Sequence, residues 1–273
     1  MKRFWYACVN LLLYSSVAFL YSACDLIEYH PYDVRITGET GINKRNMERI
    51  EERCTGKDTI RFAVMSDTQR WYDETEKAVK AINRRGDIDF VVHCGDLADF
   101  GLTKEFLWMR DVLNNLKMPY VCLIGNHDCL GEGENVFDKV FGKTNFAFTA
   151  GDHRILCLNT NAFEYDYSVA IPDFSFIRTQ RELLDEEVKH TVVAMHAKPM
   201  TEQFNNNVAL LFQEELRKFP DLQFCICGHD HNFSQDEIFG DGIIYYECGS
   251  AKQRAYLVFT LHGDTFEYEK VDY

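Results

Sequence analysis

Val121-Cys-Leu-Ile-Gly-Asn-His-Asp128 is the stretch from which the fold is read: an apolar run delivered straight into Gly125-Asn126-His127-Asp128. The cysteine counts as a small hydrophobe, so four strand-compatible residues meet a glycine. Three side chains able to ligate a metal or move a proton follow at once. Two readings stand for this stretch taken alone. In one it is a turn, with Asn126 and Asp128 bonded to local backbone. In the other the loop carries chemistry. The recurrence of the same pattern along the chain favours the second.

Upstream, Ile60 to Met65 reads as a strand and runs into Ser66-Asp67-Thr68-Gln69. Residues 73–85 have helical spacing through Ala78, Val79 and Ile82. Ile88 to Cys94 is a second strand, ending in Gly95-Asp96-Leu97-Ala98-Asp99. Phe106, Met109, Val112, Leu113 and Leu116 make an i, i+3, i+4 stripe before Pro119 opens the third strand. Strand, helix, strand, helix, strand predicts parallel strands joined by right-handed crossovers. Side chains at the C-terminal ends of such strands meet in one crevice, and Asp67, Asp96, Asn126 and His127 all hold that position.

The second half repeats the theme. Arg154 to Leu158 is a strand leading to Asn159, Phe163 to Phe176 an aromatic-rich loop, and Arg178 to Val188 is expected to be helical. Thr191 to Met195 is a strand ended by His196. Val208 to Phe219 is helical, and Leu222 to Cys227 runs into Gly228-His229-Asp230-His231. Ile243 to Glu247, Tyr256 to Leu261 and Thr265 to Val271 alternate like antiparallel strands.

The residues at strand ends are thus Asp67, Gln69, Asp96, Asn126, His127, His196, His229 and His231. Carboxylate, imidazole and amide oxygen together suit divalent Mn, Fe or Zn. They are too many for one tetrahedral ion, and two ions sharing a carboxylate accommodate them better.

These motifs, in order from Ile60 to Ser250, resemble the calcineurin-like metallophosphoesterases, whose pattern is D-x-H, G-D-x-x-D, G-N-H-D/E, a lone His and G-H-x-H. The resemblance implies two mixed β-sheets sandwiched between helices, an α/β fold. It implies that Asp96 bridges two metals, that Asp67 and His231 hold the first, and that Asn126, His196 and His229 hold the second. It further implies a phosphoester hydrolase in which a metal-bridging hydroxide attacks phosphorus and His127 serves as general acid. One position departs: Gln69 stands where the family usually has His. An amide oxygen ligates borderline metals less strongly than imidazole, so a looser first site favouring Mn or Fe over Zn is expected.

Composition sets the frame. An apolar content of 46% with 14% aromatics in 273 residues supplies a core for one large domain, expected over 59–273. The net charge of −14 argues against nucleic acid as a partner. Residues 1–23 combine a Lys2-Arg3 start, an apolar stretch and a small-residue end, the layout of an export signal. Cys24 after Ser22-Ala23 is similar to the acylated cysteine of bacterial lipoproteins, and an uncleaved anchor is the other reading. Residues 24–58 then form a lipid-anchored tether and N-terminal extension, with a short helix at 45–53. An exported, membrane-anchored protein is expected. Cysteine spacing suggests no disulfide framework.

Other residues take plainer readings. His93 is a packed or supporting histidine, and Asp99 either orients a ligand or caps the next helix. His30, His153, His190 and His262 have no motif around them and read as ordinary. Phe163 to Tyr167, Phe174 and Phe176 either wall the cleft or fill core. A scaffold protein that keeps the fold without the chemistry is the rival from another class, and the presence of His127 and Asp96 argues against it.

Overall fold

The computed structural model describes residues 35–273, so the expected signal segment and Cys24 lie outside the described residues. The strands are β1 (Ile60–Met65), β2 (Phe90–His93), β3 (Tyr120–Cys122), β4 (Phe146–Ala150), β5 (His153–Leu158) and β6 (His190–Met195). They continue with β7 (Leu222–Cys227), β8 (Ser234–Asp236), β9 (Ile244–Glu247), β10 (Ala255–His262) and β11 (Thr265–Asp272). The α-helices are α1 (Ile42–Cys54), α2 (Tyr72–Arg85), α3 (Thr103–Leu113), α4 (Gly133–Val140), α5 (Phe174–Glu182) and α6 (Ala209–Leu216).

Two mixed sheets result. One has the order β11-β10-β1-β2-β3, with β1, β2 and β3 parallel and β10 antiparallel to both β1 and β11. The other has the order β4-β5-β6-β7-β9-β8, with β5, β6, β7 and β9 parallel and the edge strands β4 and β8 antiparallel. Every residue of β2 and β6 is buried, as expected of parallel strands covered on both faces. Phe62, Phe90 and Leu123 from the first sheet meet Phe148, Val192 and Phe224 from the second in a core between the sheets. The outer face of the first sheet packs on Ala78, Phe106 and Phe137, and that of the second on Ile177, Phe212 and Leu216. The layers are therefore helix, sheet, sheet, helix.

The folded unit begins well before residue 59. In α1, Ile42, Asn43, Asn46 and Ile50 are buried. The Asn43 amide bonds both the N–H and the C=O of Cys122, and Asn46 Nδ2 donates to the Tyr120 carbonyl. These side chains complete the open edge of β3, where each buried unpaired amide would cost about 1–3 kcal/mol.

Three elements differ from the sequence expectation. Helix α5 starts at Phe174 and stops at Glu182 rather than running 178–188, because Asp173 caps it by accepting from Phe176 N. Strand β9 runs parallel to β7 and is antiparallel only to the short β8, a strand whose three-residue length hides any alternation. The aromatic segment divides: Phe163 and Tyr167 are exposed and pack edge to face, while Phe174 and Phe176 lean on the outer core. The cysteines of the described residues are all free thiols.

Candidate metal centre

Parallel pairing carries Met65 beside His93 and His93 beside Cys122, so β1, β2 and β3 end level with one another. The same alignment in the second sheet ends β6 and β7 together. The loops after these five strands deliver Asp67, Gln69, Asp96, Asn126, His127, His196, His229 and His231 to one place.

Contacts link them in series. His196 Nε2 lies 3.0 Å from Asn126 Oδ1 and 3.5 Å from Asp96 Oδ1. His229 Nδ1 is 3.0 Å from the same Asn126 oxygen. His231 Nε2 is 3.0 Å from Asp67 Oδ1, and the His229 amide donates to Asp67 Oδ2. Gln69 Nε2 donates to Asp96 Oδ2 at 3.1 Å. His127 N donates to Asp96 Oδ1, and its Nδ1 bonds the Asp99 carbonyl at 2.9 Å.

The backbone is bent to make this fit. Asp67, Asp96, His229 and His231 all have φ between 53° and 83°, a region costing about 1–3 kcal/mol for a non-glycine residue. Four such residues at one site mark a conformation kept for a purpose. Gly125 is required there, since a Cβ would lie 2.1 Å from Asp96 Oδ1.

Burial and charge set the protonation. Burial would raise the Asp67 carboxyl, yet the His231 contact and the His196 charge hold it down at about 2. Burial likewise opposes charge on His196, but Asp96 beside it and Asp67 push it up to about 10. Burial and the neighbouring His196 depress His229 to about 4. The two buried carboxylates thus demand positive charge at this point.

The residues fit divalent metal ions. Asp67, Asp96 and His196 offer ligand atoms within 4.8 Å of one another, all buried. Gln69 Oε1 is a buried acceptor without a hydrogen-bond donor, and Asp67 Oδ1 is met only by the His231 ring nitrogen. His196 Nδ1 bonds the Cys94 carbonyl at 2.7 Å, which fixes the tautomer and turns Nε2 toward the carboxylates, the arrangement usual for a ligating histidine.

The sequence left four supporting roles unassigned or divided. Asp128 accepts from Gly125 N but also from Asp96 N, Leu97 N and Ala98 N, so the turn reading captured only its local bond. Burial and the Asp96 charge push its carboxyl up to about 8 against those amide donors. Asp99 does not cap α3: the Glu105 carboxylate accepts from Phe100 N and Leu102 N instead. Asp99 holds His127 through its carbonyl and pairs with Arg70 at 2.6 Å. His93 accepts from Gly95 N at Nδ1 and so donates from Nε2 to Thr68 Oγ1. Lys198 pairs with Asp230, Asp236 and Glu247, which clamps the loop carrying His229 and His231. No local signal pointed to Lys198, since its partners follow it by 32–49 residues and are brought back by the loop after β7 and by β8 and β9.

Among proteins of known structure, a dimetal phosphatase from Danio rerio aligns with a TM-score of 0.59 at 13% identity, covering 78% of this chain and 97% of that one. A purple acid phosphatase from yellow lupin aligns at 0.60 and 14% identity, over 78% of this chain and 51% of the other. In sequence, the chain is 24% identical over 152 residues to the 3′,5′-cyclic adenosine monophosphate phosphodiesterase CpdA of Escherichia coli, covering 53% of this chain and 55% of that protein. The chain therefore spans about half the length of the curated relatives it matches. The profile of the calcineurin-like phosphoesterases matches residues 60–233, the stretch that contains every residue of this candidate centre, and the chain belongs to that family.

Proposed function

We propose that the protein is a dinuclear metal-dependent phosphoesterase that cleaves a phosphodiester, with a cyclic nucleotide as the substrate class. One observation carries this reading: two sheets deliver two buried carboxylates, an amide oxygen and three imidazoles into one run of 3.0–3.5 Å contacts. The relatives named as cyclic nucleotide phosphodiesterases support the substrate class.

Asp67 and His231, with the Gln69 amide oxygen, would hold one ion; Asn126, His196 and His229 would hold the other; Asp96 would serve both. Divalent ions bound there supply Lewis acidity toward phosphate oxygens and a water of lowered pKa. His127 is the general acid. It gives its Nε2 proton to the departing oxygen as the P–O bond breaks, and Nδ1 stays on the Asp99 carbonyl. Arg70, mostly exposed and paired with Asp99, adds positive charge beside this histidine. Gln69 weakens its ion, so Mn or Fe is preferred to Zn.

The test is to strip the protein with chelator, restore Mn, Fe, Zn, Mg or Ca singly, and follow 3′,5′-cyclic AMP, bis-p-nitrophenyl phosphate and p-nitrophenyl phosphate. Metal-dependent turnover of the diesters, best with Mn or Fe, is the expected result. Bound metal with no turnover of any ester would favour a binding protein, and two zincs surviving the chelator would refute the loose first site.

Export is part of the proposal, with residues 1–23 as the signal and Cys24 as the acylated residue. Cys24→Ala should move the protein from the membrane to the soluble fraction on cell fractionation. An unchanged membrane share would point to an uncleaved anchor.

A further inference from the structure

The starts of the parallel strands carry a second cluster, with no motif around it. Asp152 and His153 open β5, His190 opens β6, Asp221 precedes β7, and Asp264 lies in the β10–β11 turn. Asp152, His153 and His190 place ligand atoms within 4.8 Å of one another. Asp152 Oδ1 is 2.8 Å from His153 Nδ1, and Asp152 Oδ2 is 3.7 Å from His190 Nε2. Asp264 Oδ1 is 3.6 Å from the same His190 nitrogen. The two imidazoles lie 4.7 Å apart between ring centroids.

Satisfaction of the polar atoms is incomplete. His153 is 1% exposed, and neither ring nitrogen has a partner of good hydrogen-bond geometry; Asp152, at 2.8 Å, and Gln223 are the groups that approach it. Gln223 Oε1, which faces this ring, is buried and likewise has no donor of good geometry. Such groups normally find partners, and leaving one unpaired costs about 1–3 kcal/mol. His190 is differently placed. Asp221 Oδ2 sits 2.7 Å from its Nδ1, holding the ring so that Nε2 is the nitrogen nearest Asp152 and Asp264. Carboxylate behind imidazole is how ligating histidines are oriented.

We propose that Asp152, His153 and His190 form a zinc-class divalent metal site separate from the catalytic centre, with Asp264 or water as the fourth ligand. A tetrahedral ion with ligands at about 2.0–2.1 Å requires ligand atoms about 3.3 Å apart, and the carboxylate–imidazole spacings of 2.8, 3.6 and 3.7 Å lie on either side of that value, Asp152 facing His153 with Oδ1 and His190 with Oδ2. Two imidazoles and carboxylate oxygen suit zinc among the borderline ions. The site lies one strand length, roughly 20 Å, from the metal centre, since β6 separates His190 from His196. With Asp264 as the fourth ligand the set draws on both sheets, Asp264 lying in the β10–β11 turn of the first and the rest at the second. A zinc ion here joins the sheets at the end opposite the chemistry.

The test uses the full chain in which Asp67→Asn and Asp96→Asn remove the catalytic metals. After chelation and zinc titration, one zinc should remain, with nitrogen and oxygen neighbours at about 2.0–2.1 Å by X-ray absorption. Adding His153→Gln should abolish it. Asp221→Asn, on a half-exposed side chain, should weaken zinc about 10- to 100-fold without touching a ligand. No zinc retained in the Asp67/Asp96 background, with circular dichroism intact, overturns the proposal. If that background does not fold, stoichiometry in the wild-type chain decides: His153→Gln and His190→Gln must each lose one zinc while phosphodiesterase activity persists, and an unchanged zinc count overturns it.

Discussion

The two ends of the parallel strands make an instructive pair. At the C-terminal ends, short loops hold consecutive polar residues in strained conformations, and nearly every side chain answers another across the two sheets. At the N-terminal ends, His153 and His190 meet beside Asp152, with His190 held by Asp221. Both ends gather histidine and aspartate. The first draws its residues from five loops, and four of them, Asp67, Asp96, His229 and His231, are left-handed, against Asp221 alone at the second. Clustering alone therefore does not mark a candidate catalytic centre, whereas strain concentrated on the clustered residues does.

Asp96→Asn should have the largest effect, since this carboxylate touches His196, Gln69 and the His127 amide at once. Activity should fall below detection and metal content should drop at the C-terminal end only, measured by elemental analysis beside turnover. His127→Ala comes next. Loss of a general acid costs about 10²–10⁴-fold, here in kcat for cyclic AMP with metal content unchanged. The loss should be much smaller for bis-p-nitrophenyl phosphate, whose leaving group needs no proton. Equal losses on both substrates would remove His127 from the acid role.

His93 offers a pH test of the same end. Burial depresses it to about 4, so in the window between about 4 and 6.5 the unfolded chain binds a proton that the folded one does not. Its contribution to stability is complete above pH 6.5 and is lost as pH falls toward 4, up to about 3 kcal/mol in all. Urea unfolding at pH 7 and pH 4.5, compared between wild type and His93→Gln, should show a shallower loss in the variant. Identical slopes would assign the acid sensitivity elsewhere. His262→Ala should do least. Its ring makes one exposed hydrogen bond to Thr59 at the far end, so stability should change by no more than about 0.5 kcal/mol in the same assay.

Legibility followed chain distance. Gly125 to Asp128 could be read because an apolar run, a glycine and three polar side chains are contiguous, and the strand–helix alternation around them predicts where they end up. The same holds for Asp67, Asp96, His196 and the pair His229 and His231. The Asp128 bonds to residues 96–98 were not readable, since they depend on β2 and β3 ending level. The boundaries of α5 escaped because a single capping aspartate outweighed a diffuse helical pattern.

By itself the sequence determined that parallel strands would carry carboxylates, imidazoles and an amide to one edge of each sheet, because side-chain order in a tight loop is the order of the chain. Only the tertiary structure decided that Asn43 and Asn46 would close the edge of β3, that Lys198 would find Glu247, and that His153 would lie against His190. Those partners are separated by 37 to 79 residues. The register of β5 on β6 and the packing of α1 on β3 set their distances, and no local pattern encodes a register between strands so far apart in the chain.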